Sequence, residues 1–293
     1  MKPSTEQDYY ERIVRALVYI QRHLDDELEL EDLASAAAFS RFHFHRVFRG
    51  LVGESLKEHI RRLRLERAAQ KLKQQDGPIT DIAFEAGFET HESFTRAFGA
   101  MFGVSPCGYR ALHNSVPKSA SGTHLDDVSR YRPPDYGEPL PVEVKELPSV
   151  KLVFLRHAGP YSEVGATWSR LMTWAGMRGL LGPDMRMIGI VYDDPDITPA
   201  DKVRYDAAVV VNRDVQPEGE FGVMEIPGGK YAVFIHQGPY DTLGKTYQRF
   251  FGGWLPKSGR ELRNAEAFEE YLNSPMNTKP EDLLTLIHVP VGD

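Results

Sequence analysis

The 293-residue sequence lacks the features that mark secreted, membrane-spanning and zinc-binding proteins. It has one cysteine, Cys107, which excludes an internal disulfide and a cysteine-rich zinc site. No apolar run approaches the roughly 18 residues that a transmembrane helix needs. The N-terminus also lacks the charged-then-apolar pattern of a signal peptide. We therefore expect a cytoplasmic protein with no membrane partner.

Catalytic motifs are missing as well. The sequence contains no P-loop, no nucleophile elbow and no HExxH motif. His43 and His45 are two residues apart, so on a helix they would point to different faces and make a poor metal pair. We predict no metal, no cofactor and no enzymatic activity.

Charge is sorted into blocks along the chain. The net charge of −7 by itself argues against a nucleic-acid partner. Residues 25–32 hold six acids, whereas residues 41–73 hold ten Lys or Arg against three Glu. Composition alone favours a solvated helix face for each block. A duplicated pattern around the basic block favours DNA instead.

This pattern occurs in residues 30–56 and again in residues 79–106, with one inserted residue in the second copy. Each copy predicts a short helix, a tight turn and a second helix, which is the helix-turn-helix arrangement. The turn falls at Ala38 in the first copy and at Gly87 in the second. Glycine enters the left-handed conformation of such a turn most easily.

The second helix of each copy is predicted to be amphipathic and to be capped by Ser40 or Thr90. Its buried stripe consists of Phe44, Val47, Phe48 and Leu51 in one copy, and of Phe94, Ala97, Phe98 and Met101 in the other. The opposite face offers side chains suited to the major groove. The predicted DNA-binding residues are Arg41, Phe42, His45, Arg46, His91, Glu92, Thr95 and Arg96.

Residues 56–73 predict one helix that joins the two units. Eighteen helical residues span about 27 Å, which suits two recognition helices near the ~34 Å of one DNA turn. The basic side chains of this helix are placed to contact phosphates, so affinity should fall steeply with salt. Whether Arg46 and Arg96 contact bases or phosphates stays open at this point.

Residues 8–113 resemble the DNA-binding domain of AraC/XylS-type bacterial regulators. The paired units, the joining helix and the stretch "GFETHESFTRAFGAMFGVSPCGYR" carry the resemblance. It implies seven helices and sequence-specific binding upstream of promoters, with base-reading residues on both recognition helices. Double-stranded promoter DNA is the implied partner, RNA polymerase is a further candidate, and the bacterial nucleoid is the implied location.

The helical periodicity of the sequence ends after residue 116. Residues 117–141 have no periodicity and are rich in Pro, Ser and Gly, as linkers are. Alternating and β-rich segments follow. We predict an all-α double helix-turn-helix domain at residues 1–115, a linker at 116–140 and an α+β domain at 141–293.

The second half contains its own duplication, because residues 146–168 and 225–247 match at an offset of 79. Each copy predicts strand, turn, strand, a Gly-Pro-Tyr corner and a helix. Two such halves can pair about a pseudo-twofold axis, with the helices flanking a cleft over one antiparallel sheet. His157 and His236 recur at the two corners, which favours a hydrogen bond that holds the turn over a catalytic role.

Residues 140–293 resemble the GyrI-like effector-binding domain. The two H-x-G-P-Y corners, "GIVYDDPDITPADKVRYDAAVVV" and "FEEYLNSPMNTKPEDLLTLIHVPV" carry the resemblance. It implies a lipophilic, often cationic ligand and a glutamate in the cleft, here Glu269, with Glu270 as the neighbour that could be confused with it. A carboxylate beneath aromatic rings suits a cation.

The predicted effector-binding residues are Glu269, Trp168, Trp174, Tyr192, Tyr247 and Phe250. For any one of the aromatic residues the alternative is a place in the core. An AraC-type reader followed by a GyrI-like domain is also the layout of Rob-type regulators. We therefore predict a transcription regulator that senses a small lipophilic or cationic aromatic molecule.

Two other functions stay open. Some GyrI-like proteins hydrolyse reactive small molecules, so the chain could be a hydrolase or scavenger with Glu269 as the base, fused to a DNA-binding domain. A protein-binding module draws mild support from residues 116–293, which hold 19 Lys or Arg against 25 Asp or Glu.

Overall fold

The computed structural model describes residues 5–74, 77–114, 134–182, 185–193, 198 and 200–292. By contacts between residues, the chain divides into two units. The described part of the first unit is residues 5–10, 40–53 and 134–292, and that of the second is 11–39 and 54–114. Most of the predicted linker lies outside the described residues. Within them, no helix has the length and apolar content needed to cross a bilayer.

The seven helices implied by the AraC/XylS resemblance are present. They are α1 (Thr5–Arg22), α2 (Leu30–Ala36), α3 (Arg41–Val52), α4 (Leu56–Gln74), α5 (Ile79–Glu85), α6 (His91–Phe102) and α7 (Pro106–Asn114). Helix α3 belongs to the first unit, and α2 and α4–α7 belong to the second. In the second unit the side chains of α4, α5 and α6 form one apolar core.

The predicted buried stripe of α6 is confirmed at Phe94, Ala97 and Phe98, but it is wrong at Met101, which is 37% exposed. Phe102 takes the place beside the core instead. The centre of its ring lies 4.4 Å from that of Phe98. Because Phe102 takes this position in the last turn of α6, the side chain of Met101 points toward solvent.

Both helix-turn-helix turns use a left-handed residue, as predicted. Ala38 has φ +53° and Gly87 has φ +76°. The predicted cap is confirmed at Thr90, whose side chain accepts a hydrogen bond from the backbone N of Ser93 at 3.1 Å. It is wrong at Ser40, whose hydroxyl is buried with no hydrogen-bond partner among the described residues.

Replacing Ala38 with glycine is expected to stabilise the chain by about 1 kcal/mol, because a Cβ in the left-handed region is strained. Urea unfolding measures the change. Ala36→Gly is the matched control: Ala36 is the last residue of α2, where its conformation is helical and glycine should destabilise by up to about 1 kcal/mol. Destabilisation of similar size in both variants would contradict the prediction.

The first unit contains one antiparallel sheet. Its strands are β1 (Glu143–Leu147), β2 (Val150–Ala158), β3 (Met187–Val191), β4 (Arg204–Val210), β5 (Phe221–Ile226), β6 (Gly229–Gln237), β7 (Phe268–Tyr271) and β8 (Leu284–Pro290). Their order is β1-β6-β8-β7-β3-β4-β2-β5. Exchanging β1–β4 for β5–β8 reproduces this order from the other end, so the predicted pseudo-twofold axis passes between β7 and β3.

Each half adds a helix after its corner. Helix α8 (Val164–Met177) follows β2, and α9 (Leu243–Gln248) follows β6 and continues into a π-helical segment, Arg249–Trp254. The predicted fold class, an all-α double helix-turn-helix followed by an α+β region of two related halves, is confirmed.

The histidines at the two corners hold the turns, as predicted. His157 Nε2 donates to the carbonyl oxygen of Pro160 at 3.1 Å, and Nδ1 accepts from the hydroxyl of Thr167 at 3.1 Å. The equivalent contacts of His236 are to Pro239 at 3.3 Å and Thr246 at 2.8 Å. Both nitrogens are therefore engaged in the same structural pair of bonds in each half.

Candidate functional site

Glu269 lies on the central strand β7 at the pseudo-twofold axis. Its direct partner across the axis is Gly189 of β3, which in turn pairs with Ala207 of β4. Residues directly paired across strands point to the same face of a sheet. Ala207 packs against Leu171 and other side chains of α8, so Glu269 also points to the helix-covered face. Its side chain is only 4% exposed.

The neighbouring Glu270 points to the opposite face, because side chains alternate along a strand. Arg186 binds both of its carboxylate oxygens, at 2.7 Å and 2.8 Å. Burial raises the pKa of Glu270, but the bonds from Arg186 outweigh it and the net pKa is lowered. Strand alternation thus separates the two glutamates and leaves Glu269 as the carboxylate beside the helices.

Four aromatic side chains supply a chain of hydrogen bonds that ends on Glu269. Tyr247 donates to one carboxylate oxygen at 3.0 Å, and Tyr271 donates to the other at 2.8 Å. Since the Tyr271 proton is used in this way, Tyr205 must donate to Tyr271, at 3.0 Å. Trp168 donates to Tyr205 at 3.1 Å. Every proton points toward Glu269, which is the arrangement that an ionised carboxylate needs.

Burial sets the electrostatics of this cluster. It raises the pKa of Glu269, and the bonds from Tyr271 and Tyr247 and the charge of Arg46 act against that rise. Burial also raises the pKa values of Tyr205, Tyr247 and Tyr271, so their hydroxyls remain proton donors. A desolvated carboxylate surrounded by aromatic rings can balance an organic cation.

Gly189 makes this arrangement possible. A Cβ at Gly189 would overlap the hydroxyls of Tyr205 and Tyr271. Gly189 is the position in β3 that corresponds to Glu269 in β7 under the pseudo-twofold axis. One half of the repeat therefore supplies the carboxylate, and the other half supplies the room for the two tyrosine hydroxyls. For this reason the internal repeat does not reveal the site. The one local signal is a glycine inside an otherwise apolar strand.

Sequence reasoning missed four tyrosines of this cluster. Tyr205 and Tyr271 belong to the hydrogen-bond chain. Tyr161 and Tyr240 are the tyrosines of the two Gly-Pro-Tyr corners, and their rings lie 6.2 Å and 5.4 Å from those of Tyr205 and Tyr271. The repeated Gly-Pro-Tyr motif was the signal that could have identified the last two.

The structure places two of the six predicted effector residues elsewhere on the helix side. Trp168 and Tyr247 join the cluster around Glu269. Trp174, in contrast, stacks on Phe221 at 4.5 Å, and the fully buried Phe250 stacks on Phe234 and Trp254. Trp174 and Phe250 therefore occupy core positions, which was the alternative for each aromatic residue.

Tyr192 lies on the opposite face of the sheet from Glu269. Its hydroxyl donates to the fully buried carboxylate of Asp206 at 2.8 Å. Arg156 donates two hydrogen bonds to the same carboxylate, at 2.8 Å and 2.7 Å. The sequence could not assign Tyr192 to a face because it follows the end of β3.

The two recognition helices differ in exposure. On α6, His91, Glu92 and Arg96 are exposed, as predicted, and Thr95 is half-buried. On α3, Arg41 is exposed and the side chain of Phe42 lies outside the described residues, whereas Arg46 is half-buried. The predicted exposure of His45 is wrong.

His45 is 5% exposed because other residues of the first unit cover α3. Burial lowers the pKa of His45 to about 3, assisted by the charge of Arg46. The same causes lower the pKa of His43 to about 4. Both histidines are thus neutral in the folded chain near neutral pH.

The basic block is partly bound within the second unit. Arg67 pairs with Asp25 at 2.6 Å, and Arg64 donates to the carbonyl oxygens of Leu24 and Asp26, both at 3.0 Å. Other pairs are Arg62 with Glu54 and Glu66, and Lys71 with Glu85. The acidic block and the basic block therefore contact each other in part. Composition alone had instead favoured a separate solvated helix face for each block.

Two family profiles match the chain. One, described as a GyrI-like small molecule binding domain, matches residues 140–292. The other, described as a helix-turn-helix domain, matches residues 33–111.

Curated relatives share parts of the chain. YbfP of Bacillus subtilis, described as an HTH-type transcriptional regulator, is 42% identical over 119 residues, which is 40% of each chain. The right origin-binding protein of Escherichia coli K12 is 36% identical over 94 residues, 32% of each chain. The match thus spans less than half of either relative. YgiV of E. coli K12, described as a probable transcriptional regulator, is 28% identical over 52% of this chain and 97% of its own.

Among solved structures, the EcmrR–DNA complex is similar over 91% of this chain and 100% of that chain, with 16% identity and a TM-score of 0.46.

Proposed function

We infer that this chain, which belongs to the GyrI-like small-molecule-binding family, is a DNA-binding transcription regulator whose effector is a lipophilic aromatic cation. The observation that carries the effector class is the buried Glu269 carboxylate, held by Tyr247 and Tyr271 within a ring of aromatic side chains. Charge and cation–π attraction would act together on such a ligand. A small hydrated metal ion would gain nothing from the rings.

The helix-turn-helix profile and the exposed α6 support the DNA-binding half of this function. Arg96 and His91 project from the exposed face of α6. Side chains in this position can contact bases or phosphates. We propose that the target is double-stranded promoter DNA, that RNA polymerase is a further partner, and that the protein acts at the nucleoid in the bacterial cytoplasm. The functional boundaries we propose are residues 1–115 for DNA and 141–293 for the effector, with 116–140 as linker.

Arg96→Ala is expected to weaken DNA binding by about 10-fold or more, since one good side-chain contact contributes about 1–3 kcal/mol. The DNA is selected from a random duplex library with the parent protein, and binding is followed by fluorescence anisotropy at several salt concentrations. If Arg96 contacts a phosphate, the salt slope should also fall by about 1.

Arg170→Ala is the control for this measurement. Arg170 is an exposed arginine of α8 that pairs with Glu220, so its removal should leave the DNA affinity as it was. Equal affinity of the parent and Arg96→Ala would remove α6 from the DNA contact.

A hydrolase or scavenger is the second candidate, and the raised pKa of Glu269 favours it. A carboxylate works best as a general base when its pKa lies close to the working pH. Turnover of an electrophilic compound that is lost in Glu269→Ala would support this function. Recovery of the compound intact after long incubation would support the regulator.

A further inference from the structure

Helix α3 and the π-helical segment Arg249–Trp254 approach each other closely within the first unit. At the crossing, a Cβ on Gly50 would lie 2.6 Å from the backbone N of Gly252, and a Cβ on Gly252 would overlap the carbonyl oxygen of Gly50. That oxygen also accepts a hydrogen bond from the Tyr136 hydroxyl at 2.6 Å. Two glycines thus allow two backbones to touch, which side chains would prevent.

One stripe of α3 faces this contact. His43, Arg46 and Gly50 are three and four residues apart, so they lie on one side of the helix. His43 Nε2 donates to the carbonyl oxygen of Arg263 at 3.0 Å. The guanidinium carbon of Arg46 lies 4.8 Å from the centre of the Tyr247 ring.

Arg46 thereby joins the cluster at Glu269. Its guanidinium stacks on Tyr247, and Tyr247 donates its hydroxyl proton to Glu269. The positive charge of Arg46 favours the ionised form of Glu269 against the effect of burial. Arginine is a planar, weakly hydrated cation that stacks on aromatic faces. An aromatic cation would use the same ring and the same carboxylate.

We propose that Arg46 is an internal ligand of the effector site and holds the first recognition helix there until an organic cation displaces it. This proposal rests on the proposed function. With Arg46 in place, the face of α3 that carries His43, Arg46 and Gly50 is covered and cannot enter a DNA groove. A cation at Tyr247 and Glu269 releases α3. Because coupling between two binding events is reciprocal, DNA that captures α3 raises the affinity for the cation.

The second copy of the helix-turn-helix behaves differently. Arg96, the equivalent of Arg46 in the repeat, is exposed on α6. Helix α6 is therefore available to DNA while α3 is held. The effector then changes the number of recognition helices that engage DNA from one to two.

The first test uses the full chain without any ligand, followed by hydrogen exchange with mass spectrometry. Arg46→Met keeps an unbranched apolar stem and removes the charge, so backbone amides of α3 and of segment 249–254 should exchange about 10-fold faster or more. Arg170→Met removes an exposed arginine of α8 and should leave this exchange unchanged.

Gly252→Ala is a second, independent variant, because it removes the close crossing without touching a DNA-reading residue. It should speed exchange in α3 as Arg46→Met does. Gly253→Ala is its matched control, since a Cβ there would meet Tyr136 at an ordinary 3.7 Å. Parental exchange of α3 in both Arg46→Met and Gly252→Ala would overturn the proposal.

The second test uses benzyltriethylammonium as the probe, with calorimetric titration of the full chain. Loss of the internal competitor should tighten binding about 10-fold in Arg46→Met, which corresponds to about 1.4 kcal/mol, and Arg170→Met should bind as the parent does. The probe should also speed exchange of α3 in the parent.

The outcomes separate this proposal from the proposed function. If the probe binds the parent and Arg46→Met with equal affinity and α3 stays protected, the internal-ligand proposal fails and the cation-binding function stands. If the probe binds neither protein, the cationic effector class fails, and the exchange measured without ligand still decides whether Arg46 holds α3.

Discussion

Lowering the pH from about 7.5 to about 5 is expected to remove about 6 kcal/mol of the free energy of unfolding through buried histidines, about 2 kcal/mol for each of them. The cause is a set of three buried histidines in the first unit. Burial lowers the pKa of His43 to about 4, of His45 to about 3 and of His288 to about 4. Each must remain neutral in the folded chain, whereas each is free to bind a proton in the unfolded chain.

The direction follows from proton binding. Below pH about 6.5 the unfolded state binds protons that the folded state does not, so stability falls as the pH falls, by up to about 1.4 kcal/mol per histidine and pH unit. Glu269 acts in the opposite direction, because its raised pKa favours protonation in the folded chain. Glu54, with a pKa lowered to about 2, loses its contribution only below pH about 4.5.

Urea unfolding at a series of pH values checks this prediction. His45→Gln removes one titrating group and should reduce the pH dependence by about a third. His91→Gln, at an exposed histidine of α6, is the control and should keep the dependence of the parent. A free energy of unfolding that stays level across this pH range would contradict the burial of these histidines. Since His43 and His45 both lie on α3, acid should also lower the protection factors of the amides in that helix, once the slower intrinsic exchange at low pH has been corrected for.

Replacing Glu269 with glutamine is expected to weaken the binding of benzyltriethylammonium about 30-fold. Glutamine keeps the size of the side chain but leaves a buried cation without a counter-charge. Loss of one member of a buried ion pair costs about 3–5 kcal/mol. Arg46 loses the same partner and competes less strongly, so a net loss of about 2 kcal/mol remains.

Glu270→Gln is the matched control for this variant, because it changes the adjacent residue of the same strand in the same way. Glu270 faces the other side of the sheet and is bound by Arg186. Calorimetric titration should give an affinity within about twofold of the parent. A similar loss in both variants would indicate a general effect of charge or stability, and an unchanged affinity in Glu269→Gln would remove Glu269 from the site.

Local patterns in the sequence were sufficient to predict the structural elements that occur in both copies of each repeat. The turns at Ala38 and Gly87, the cap at Thr90 and the corner histidines, His157 and His236, all depend on contacts between residues at most ten positions apart. Such contacts are encoded by spacing alone. The duplications then predicted the twofold sheet, because equal halves with equal apolar faces bury them best against each other.

Which residues form the site could not be predicted without knowing how the strands pair. Glu269 meets Tyr205 and Gly189 only because β7, β3 and β4 are neighbours in the sheet, although they are far apart in the chain. No local pattern in the sequence distinguishes Tyr205 or Tyr271 from core residues such as Trp174. The site was therefore predicted at its carboxylate and at the two helix residues that the repeat aligns, Trp168 and Tyr247.

Amphipathic spacing identified the two recognition helices and the polar face of each, because periodicity records which side of a helix avoids the core. It does not record what covers the polar side. The contacts of α3 with Gly252 and Tyr247 join residues about 200 positions apart, and they half-bury Arg46, which the sequence assigned to DNA. Only tertiary packing decides that α6 is exposed while α3 is held.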